Sequence, residues 1–288
     1  MSDAPAPSPR YLISLSCADR IGVVADVSRF LVEHRCNIVE SAQHRDAESD
    51  RFFLRTEFDA LSGEPLEALR AAFAPVAEAY AMRAQFFDLS RKTATVVMVS
   101  KLGHCLNDLL FRWRIGALPV DIRAVVSNHP DFQDLVEQAG LPFLHLPVTP
   151  QTREEKAGAL MQALDGYGAE LVVLARYMQI LPPSVCDRYA GRIINIHHSF
   201  LPSFKGARPY HAAYERGVKL IGATAHYVTA DLDEGPIIEQ EVQRVHYNMS
   251  ATDYVAVGRD VEALVLARAV KWHAEHRVLM NGARTVVL

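Results

Sequence analysis

The chain has 288 residues, half of them hydrophobic and 22% charged, with a formal net charge of −4. That is ordinary globular composition with length enough for two cores, and the acidic balance excludes the basic face that nucleic-acid binders carry. No apolar run reaches the roughly eighteen residues of a bilayer span, and no hydrophobic signal core precedes the first strand, so a cytoplasmic protein without membrane association is expected. Its four scattered cysteines, Cys17, Cys36, Cys105 and Cys186, form neither a metal knuckle nor a redox pair and read as buried thiols.

Residues 1–9, with four prolines or alanines in alternation, read as a loose, disordered tail, and residues 10–89 as βαββαβ. Tyr11–Leu15 is a strand, and a helix from about Ile21 to His34 follows with Val24, Val27 and Leu31 as its inward stripe. Strands around Asn37–Val39 and Arg51–Thr56, a helix from Pro65 to Tyr80 and a strand at Ala84–Phe87 complete the set; proline suits the first turn of that helix. The short polar segment Ser90–Thr93 sets a boundary, giving domains 1–90 and 91–288.

Beyond it, apolar strands near 94–99, 120–126, 141–146, 170–175 and 192–196 alternate with stretches of helical period. Such alternation predicts an α/β domain with a mostly parallel sheet and helices on both faces. The last of these strands runs into Asn195-Ile196-His197. Side chains two apart on a strand share a face, so Asn195 and His197 point the same way and His198 is expected on the other face. The prolines and glycine of Leu201–Pro209 make a loop, and a polar pair at a strand end beside a loop is where open α/β sheets hold ligands. Ile221–Val228 and Ile237–Val242 then read as a hairpin around the turn that carries Asp233, followed by a long helix at 251–275 and an edge strand at 284–288.

An amide, an imidazole and a carboxylate together can run acyl-group chemistry, which makes Asn195, His197 and Asp233 the candidate catalytic set. Each has a plainer reading: Asn195 as a strand-end turn amide, His197 as a satisfied core residue, Asp233 as one of three acids in a glycine-proline turn. His197, His198, His211, His226 and Asp233 could invite a metal, yet none of their spacings is that of a zinc helix or knuckle. No metal is expected, and His211 reads as a surface helix residue.

The combination of Asn195-Ile196-His197, the loop Leu201-Pro202-Ser203-Phe204-Lys205-Gly206 and His226-Tyr227-Val228-Thr229 leading to Asp233 resembles the folate-dependent formyltransferase fold. The first 90 residues resemble an ACT domain, a ferredoxin-like βαββαβ module that commonly senses amino acids, with Asp19-Arg20-Ile21-Gly22 at its effector loop. That order of domains resembles the family members that pass the formyl group to water. The resemblance extends through Gly258-Arg259-Asp260-Val261-Glu262 and the Arg284–Val287 tail.

In the purine-pathway transformylase of this family the loop after the first strand is rich in Gly, Ser and Asn and holds a phosphate, as amides at a helix start can. Here the same loop is Ser100-Lys101-Leu102-Gly103-His104-Cys105-Leu106, a poor cradle, although Lys101 could attract an anion. A methionyl-tRNA formyltransferase would need an RNA-binding domain and a basic surface, neither of which is expected here.

The resemblance therefore implies hydrolysis of 10-formyltetrahydrofolate to formate and tetrahydrofolate, supplying formate to one-carbon and purine metabolism, with folate as substrate and no cofactor. Asn195 would donate to the formyl oxygen; His197 would donate there or protonate the leaving nitrogen; Asp233 would orient His197 and the water. Which of the two takes the proton from water stays open. The folate ring would lie along Tyr177, Met178, Gln179, Ile180 and Leu181 with Val228 and Thr229 opposite, and His198, His226 and Gly206 would support the site. In the ACT domain Asp19, Gly22 and Asn37 would bind an amino acid, with Asp19 as a plain helix cap the alternative, and the chain would assemble as a homo-oligomer, dimer or tetramer. Other outcomes are formyl transfer to an amine such as glycinamide ribonucleotide, and a non-catalytic sensor of folate or amino acid.

Overall fold

The computed structural model describes residues 8–148, 152–201 and 209–288. The expected tail, most of the Leu201–Pro209 loop and the supporting Gly206 lie outside the described residues.

Two compact units emerge, one of residues 1–92 with 276–281 and 286–288, the other of residues 93–275 with 282–285. The division between Lys92 and Thr93 comes where the polar linker meets the first wholly apolar strand. The last segments of the chain, placed with the second domain on sequence, largely group with the first unit.

The first unit has β1 (Arg10–Ala18), α1 (Val23–Glu33), β2 (Cys36–Asp46), β3 (Arg51–Ala60), α2 (Leu66–Ala79) and β4 (Arg83–Asp88). Its sheet has the order β2-β3-β1-β4 and every pairing is antiparallel. Helix α1 starts two residues later than its sequence suggests, because Gly22 is held at φ 101 and ends the loop before it. The buried stripe is Val23, Val27, Phe30 and Leu31, so Val27 and Leu31 face the core as expected while Val24 is 41% exposed. All four cysteines are buried and free.

The second unit runs β5 (Thr93–Val99), α3 (His104–Arg114), β6 (Val120–Ser127), α4 (Gln133–Gln138), β7 (Phe143–His145), α5 (Arg153–Gly166), β8 (Leu171–Leu174), α6 (Pro183–Arg188), β9 (Ile193–His197), α7 (Pro209–Arg216), β10 (Leu220–Tyr227), β11 (Ile237–Arg244) and α8 (Ala251–Ala274). Its seven strands are ordered β11-β10-β9-β8-β5-β6-β7. From β8 to β7 all neighbours are parallel, while β10 runs antiparallel to both β9 and β11. The chain lays strands to one side of β5, then returns to lay β8 and those after it on the other. That reversal opens a crevice at the carboxyl ends of β5 and β8, the usual ligand position in such sheets.

The tail strand β13 (Arg284–Val287) forms, but with β12 (Val278–Asn281) in a two-stranded ribbon rather than at the edge of the large sheet. Among the described residues no helix is long and apolar enough to cross a membrane.

Candidate active site

Strand β9 brings Asn195 and His197 to the carboxyl end of the sheet, and both line a cavity of about 300 Å³. Its other walls are the segment 176–181 after β8 and the segment 228–233 after β10. Tyr177, Met178, Gln179, Ile180, Leu181, Val228, Thr229, His198, His226 and Asp233 therefore all face the same space. His198 was expected on the opposite face from His197. The strand ends at His197, so alternation no longer holds at the next residue, and the two rings pack edge to face with centroids 5.1 Å apart.

Asp233 reaches the site because its turn is unusually tight. The amide of Tyr227 donates to the carbonyl of Pro236 at 2.9 Å, and a Cβ on Gly235 would stand 1.7 Å from the Tyr227 oxygen, so only glycine closes the turn. Asp233 itself adopts φ 57, a left-handed conformation that aspartate tolerates better than most residues. Its Oδ1 then lies 3.2 Å from His197 Nδ1 and 3.7 Å from His226 Nε2.

The hydrogen bond from His197 holds the Asp233 carboxyl below its ordinary range; the His197, His226 and His198 rings add to this, against the opposing effect of burial. His226 faces the carbonyl of Tyr227 with Nδ1 at 2.9 Å, so Nδ1 must carry the proton. Burial lowers the pKa of this ring and keeps it neutral, which leaves Nε2 to accept from Asn195 Nδ2 at 3.2 Å. His226 thus orients the Asn195 amide and leaves its second N–H for a ligand.

The wall after β8 is braced from below. Ser100 Oγ accepts from the amide of Met178 at 3.0 Å and donates to Asn128 Oδ1 at 2.6 Å. Behind the wall lies a set of residues that sequence reasoning did not assemble. Glu262, fully buried on α8, accepts from Tyr210 Oη at 2.8 Å, meets His104 Nε2 at 2.8 Å and has Arg176 Nε 3.3 Å away. Burial drives the Glu262 carboxyl up, but these hydrogen bonds and the Arg176 charge outweigh it and hold it below its ordinary value. A lone carboxylate on the otherwise apolar face that α8 makes with Gly258, Val265, Leu266 and Ala269 was the signal for it.

His104, Cys105 and Glu262 also bring three possible metal ligands within 4.8 Å of one another. The Arg176 guanidinium and the Tyr210 hydroxyl already engage that carboxylate, and burial pushes the Cys105 thiol far from its ligating thiolate form. That donor set fits a hydrogen-bond hub better than a cation. At the start of α3, a Cβ on Gly103 would meet the Phe132 ring at 2.3 Å, so the place where a phosphate cradle would stand is packed with aromatic carbon. His211 lies exposed on α7.

In the first unit, Asp19 pairs with Arg45 at 2.8 Å. It does not cap α1, whose N-cap is the left-handed Gly22, and Asn37 is exposed on β2.

Residues 93–270 match the formyl transferase family model and residues 11–74 the ACT domain model. A relative from Corynebacterium sp. (strain P-1), named formyltetrahydrofolate deformylase, is 50% identical over 97% of this chain and 98% of its own length. The crystal structure of a formyltetrahydrofolate deformylase from Pseudomonas syringae pv. tomato superposes with a TM-score of 0.94 at 47% identity, covering 98% of this chain and 95% of that one. That of a Burkholderia mallei formyltetrahydrofolate deformylase gives 0.92 at 52% identity, covering 97% and 99%.

Proposed function

Because this chain belongs to the formyltetrahydrofolate deformylase family, with a formyl transferase domain following an ACT domain, we propose that Asn195, His197 and Asp233 carry that family's reaction here. The reaction is hydrolysis of 10-formyltetrahydrofolate to formate and tetrahydrofolate. The observation that carries the assignment of residues is the 3.2 Å contact between His197 Nδ1 and Asp233 Oδ1 on a cavity wall shared with Asn195.

The chemistry follows from the hydrogen bonds. The free N–H of Asn195 donates to the formyl oxygen as negative charge gathers there, a contribution typically worth about 3 kcal/mol. Asp233, held ionised by its contact with His197, is a weak base at neutral pH, so the better proton acceptor is His197 Nε2. It takes the proton as the water oxygen bonds to the formyl carbon, and Asp233 stabilises the imidazolium that results. The same proton then goes to the departing nitrogen as the C–N bond breaks. General acid-base help of this kind contributes about a hundred- to ten-thousand-fold.

Tyr177, Met178, Gln179, Ile180 and Leu181 form one side of the folate slot in this reading, with Val228 and Thr229 on the other. Folate is substrate and no further cofactor takes part. The ACT match supports an amino-acid effector at Asp19, Gly22 and Asn37 and a homo-oligomer, and the four free thiols agree with a cytoplasmic enzyme. The test is to incubate the pure protein with 10-formyltetrahydrofolate alone and measure formate. Formate without added amine supports hydrolysis; loss of 10-formyltetrahydrofolate only when glycinamide ribonucleotide is added, with N-formylated amine and no formate as product, would instead make the protein a transferase, and no turnover in either case a sensor.

A further inference from the structure

Among the described residues, four buried side-chain polar atoms have no hydrogen-bond partner: Arg51 Nε, Arg176 Nε, His197 Nε2 and His198 Nε2. Arg176 Nε has the Glu262 carboxylate 3.3 Å away, whereas His197 Nε2 and His198 Nε2 belong to neighbouring residues that line the catalytic cavity. Leaving a buried polar group unsatisfied is costly, and two such nitrogens at one native site call for a polar partner. Both histidines are more than nine-tenths buried, with 5% of His197 and 8% of His198 exposed.

We propose that His198, together with His197, holds the attacking water, and that this corner makes water rather than an amine the formyl acceptor. The proposal rests on the deformylase reading and assigns it a residue that touches the nucleophile. A buried water takes about two to four hydrogen bonds. It donates to His197 Nε2 and to His198 Nε2, and a lone pair is left to attack the formyl carbon. Rings 5.1 Å apart and edge to face are close enough for one water to bridge their nitrogens.

For this His198 must accept, and so must stay neutral. Burial, then the charge of Arg176 and then His197 lower its pKa to about 4. Arg176 in turn is a positioning residue held by the hub behind it. Its backbone sits at φ 65, a left-handed conformation that a non-glycine residue adopts only under strain, and Glu262, itself held by His104 and Tyr210, keeps the guanidinium 3.3 Å away. The corner is thus walled by the buried side chains of Arg176, His197 and His198.

Two measurements test this. A high-resolution crystal structure of the wild-type protein should show one water within hydrogen-bond distance of both His198 Nε2 and His197 Nε2; a dry corner would overturn the proposal whatever the variants do. In kinetics, wild type and His198→Leu are compared for formate release, for KM, and for the share of formyl captured as formohydroxamate when hydroxylamine is added. His198→Leu should lose about a hundredfold in kcat with KM within about threefold, as expected when a nucleophile is mispositioned. The hydroxamate share should rise, because a larger nucleophile now competes for the space. His198→Gln, which keeps a polar acceptor, should recover part of the loss and controls for misfolding. Wild-type kcat and wild-type partition in both variants would sink the proposal alone. A wild-type protein that releases no formate would instead bring down the deformylase reading, and the proposal with it.

Discussion

Asp233 Oδ1 stands 3.2 Å from His197 Nδ1, a contact between a strand end and a turn that no periodicity links. It depends on the backbone closing at Tyr227 and Pro236, and it sets both the ionisation of the acid and the tautomer of the imidazole.

Asp233→Asn should lower kcat about a hundred- to ten-thousand-fold while folate binding stays within about tenfold, since the carboxylate acts on the transition state more than on bound substrate. Formate release measured beside folate fluorescence titration checks this. Equal loss of binding and turnover would argue against the role assigned to Asp233.

Gly235→Ala tests how Asp233 is placed. The added methyl meets the carbonyl oxygen of Tyr227 at 1.7 Å, so the turn must open and carry Asp233 away from His197. Because a misplacement of about 1 Å can cost a hundredfold, the variant should lose most of its kcat although no catalytic group is altered. Near-normal turnover would show that the turn does not position the acid.

Stability should fall with acid between pH 6.5 and about 4. His198 titrates near 4 in the folded protein against 6.5 in the unfolded chain, so the unfolded state takes up protons first as pH drops. The neutral ring's contribution is complete above 6.5 and is lost on the way down to 4, on the order of 3 kcal/mol. His226, also lowered by burial, acts in the same direction. Asp233, lowered from 3.8, loses its contribution only below this window. Urea unfolding from pH 4 to 7 should show the slope in wild type and a flatter one in His198→Gln; identical slopes would remove His198 as the cause.

Glu262→Leu should destabilise the protein by about 3–5 kcal/mol, because it strands the Arg176 guanidinium and the Tyr210 hydroxyl in a dry interior. A shift of the urea midpoint reads this directly. A change under about 1 kcal/mol would mean that Arg176 finds water without its carboxylate.

The strands and helices were largely legible because their signal is local: apolar runs for buried parallel strands and a 3.6-residue stripe for helices. The errors were local too. In α1 the expected Val27 and Leu31 face the core but Val23 takes the place expected of Val24, because two adjacent valines offer apolar periodicity no way to choose between them. His198 was assigned to the wrong face because alternation was carried one residue past the end of β9. The hub of Glu262, His104, Arg176 and Tyr210 could not be assembled from sequence, since its members come from four separate elements or loops and each alone is unremarkable.

By itself the sequence determined the alternation of elements, the two-part organisation and the residue types available for acyl chemistry, because patterning and composition act along the chain. Tertiary structure alone decided which of these groups meet. Strand order brings the ends of β8 and β9 side by side, and a glycine turn delivers Asp233 to His197. Burial then sets the charge of each imidazole, since desolvation and neighbouring charges depend on distances through space that sequence separation does not encode.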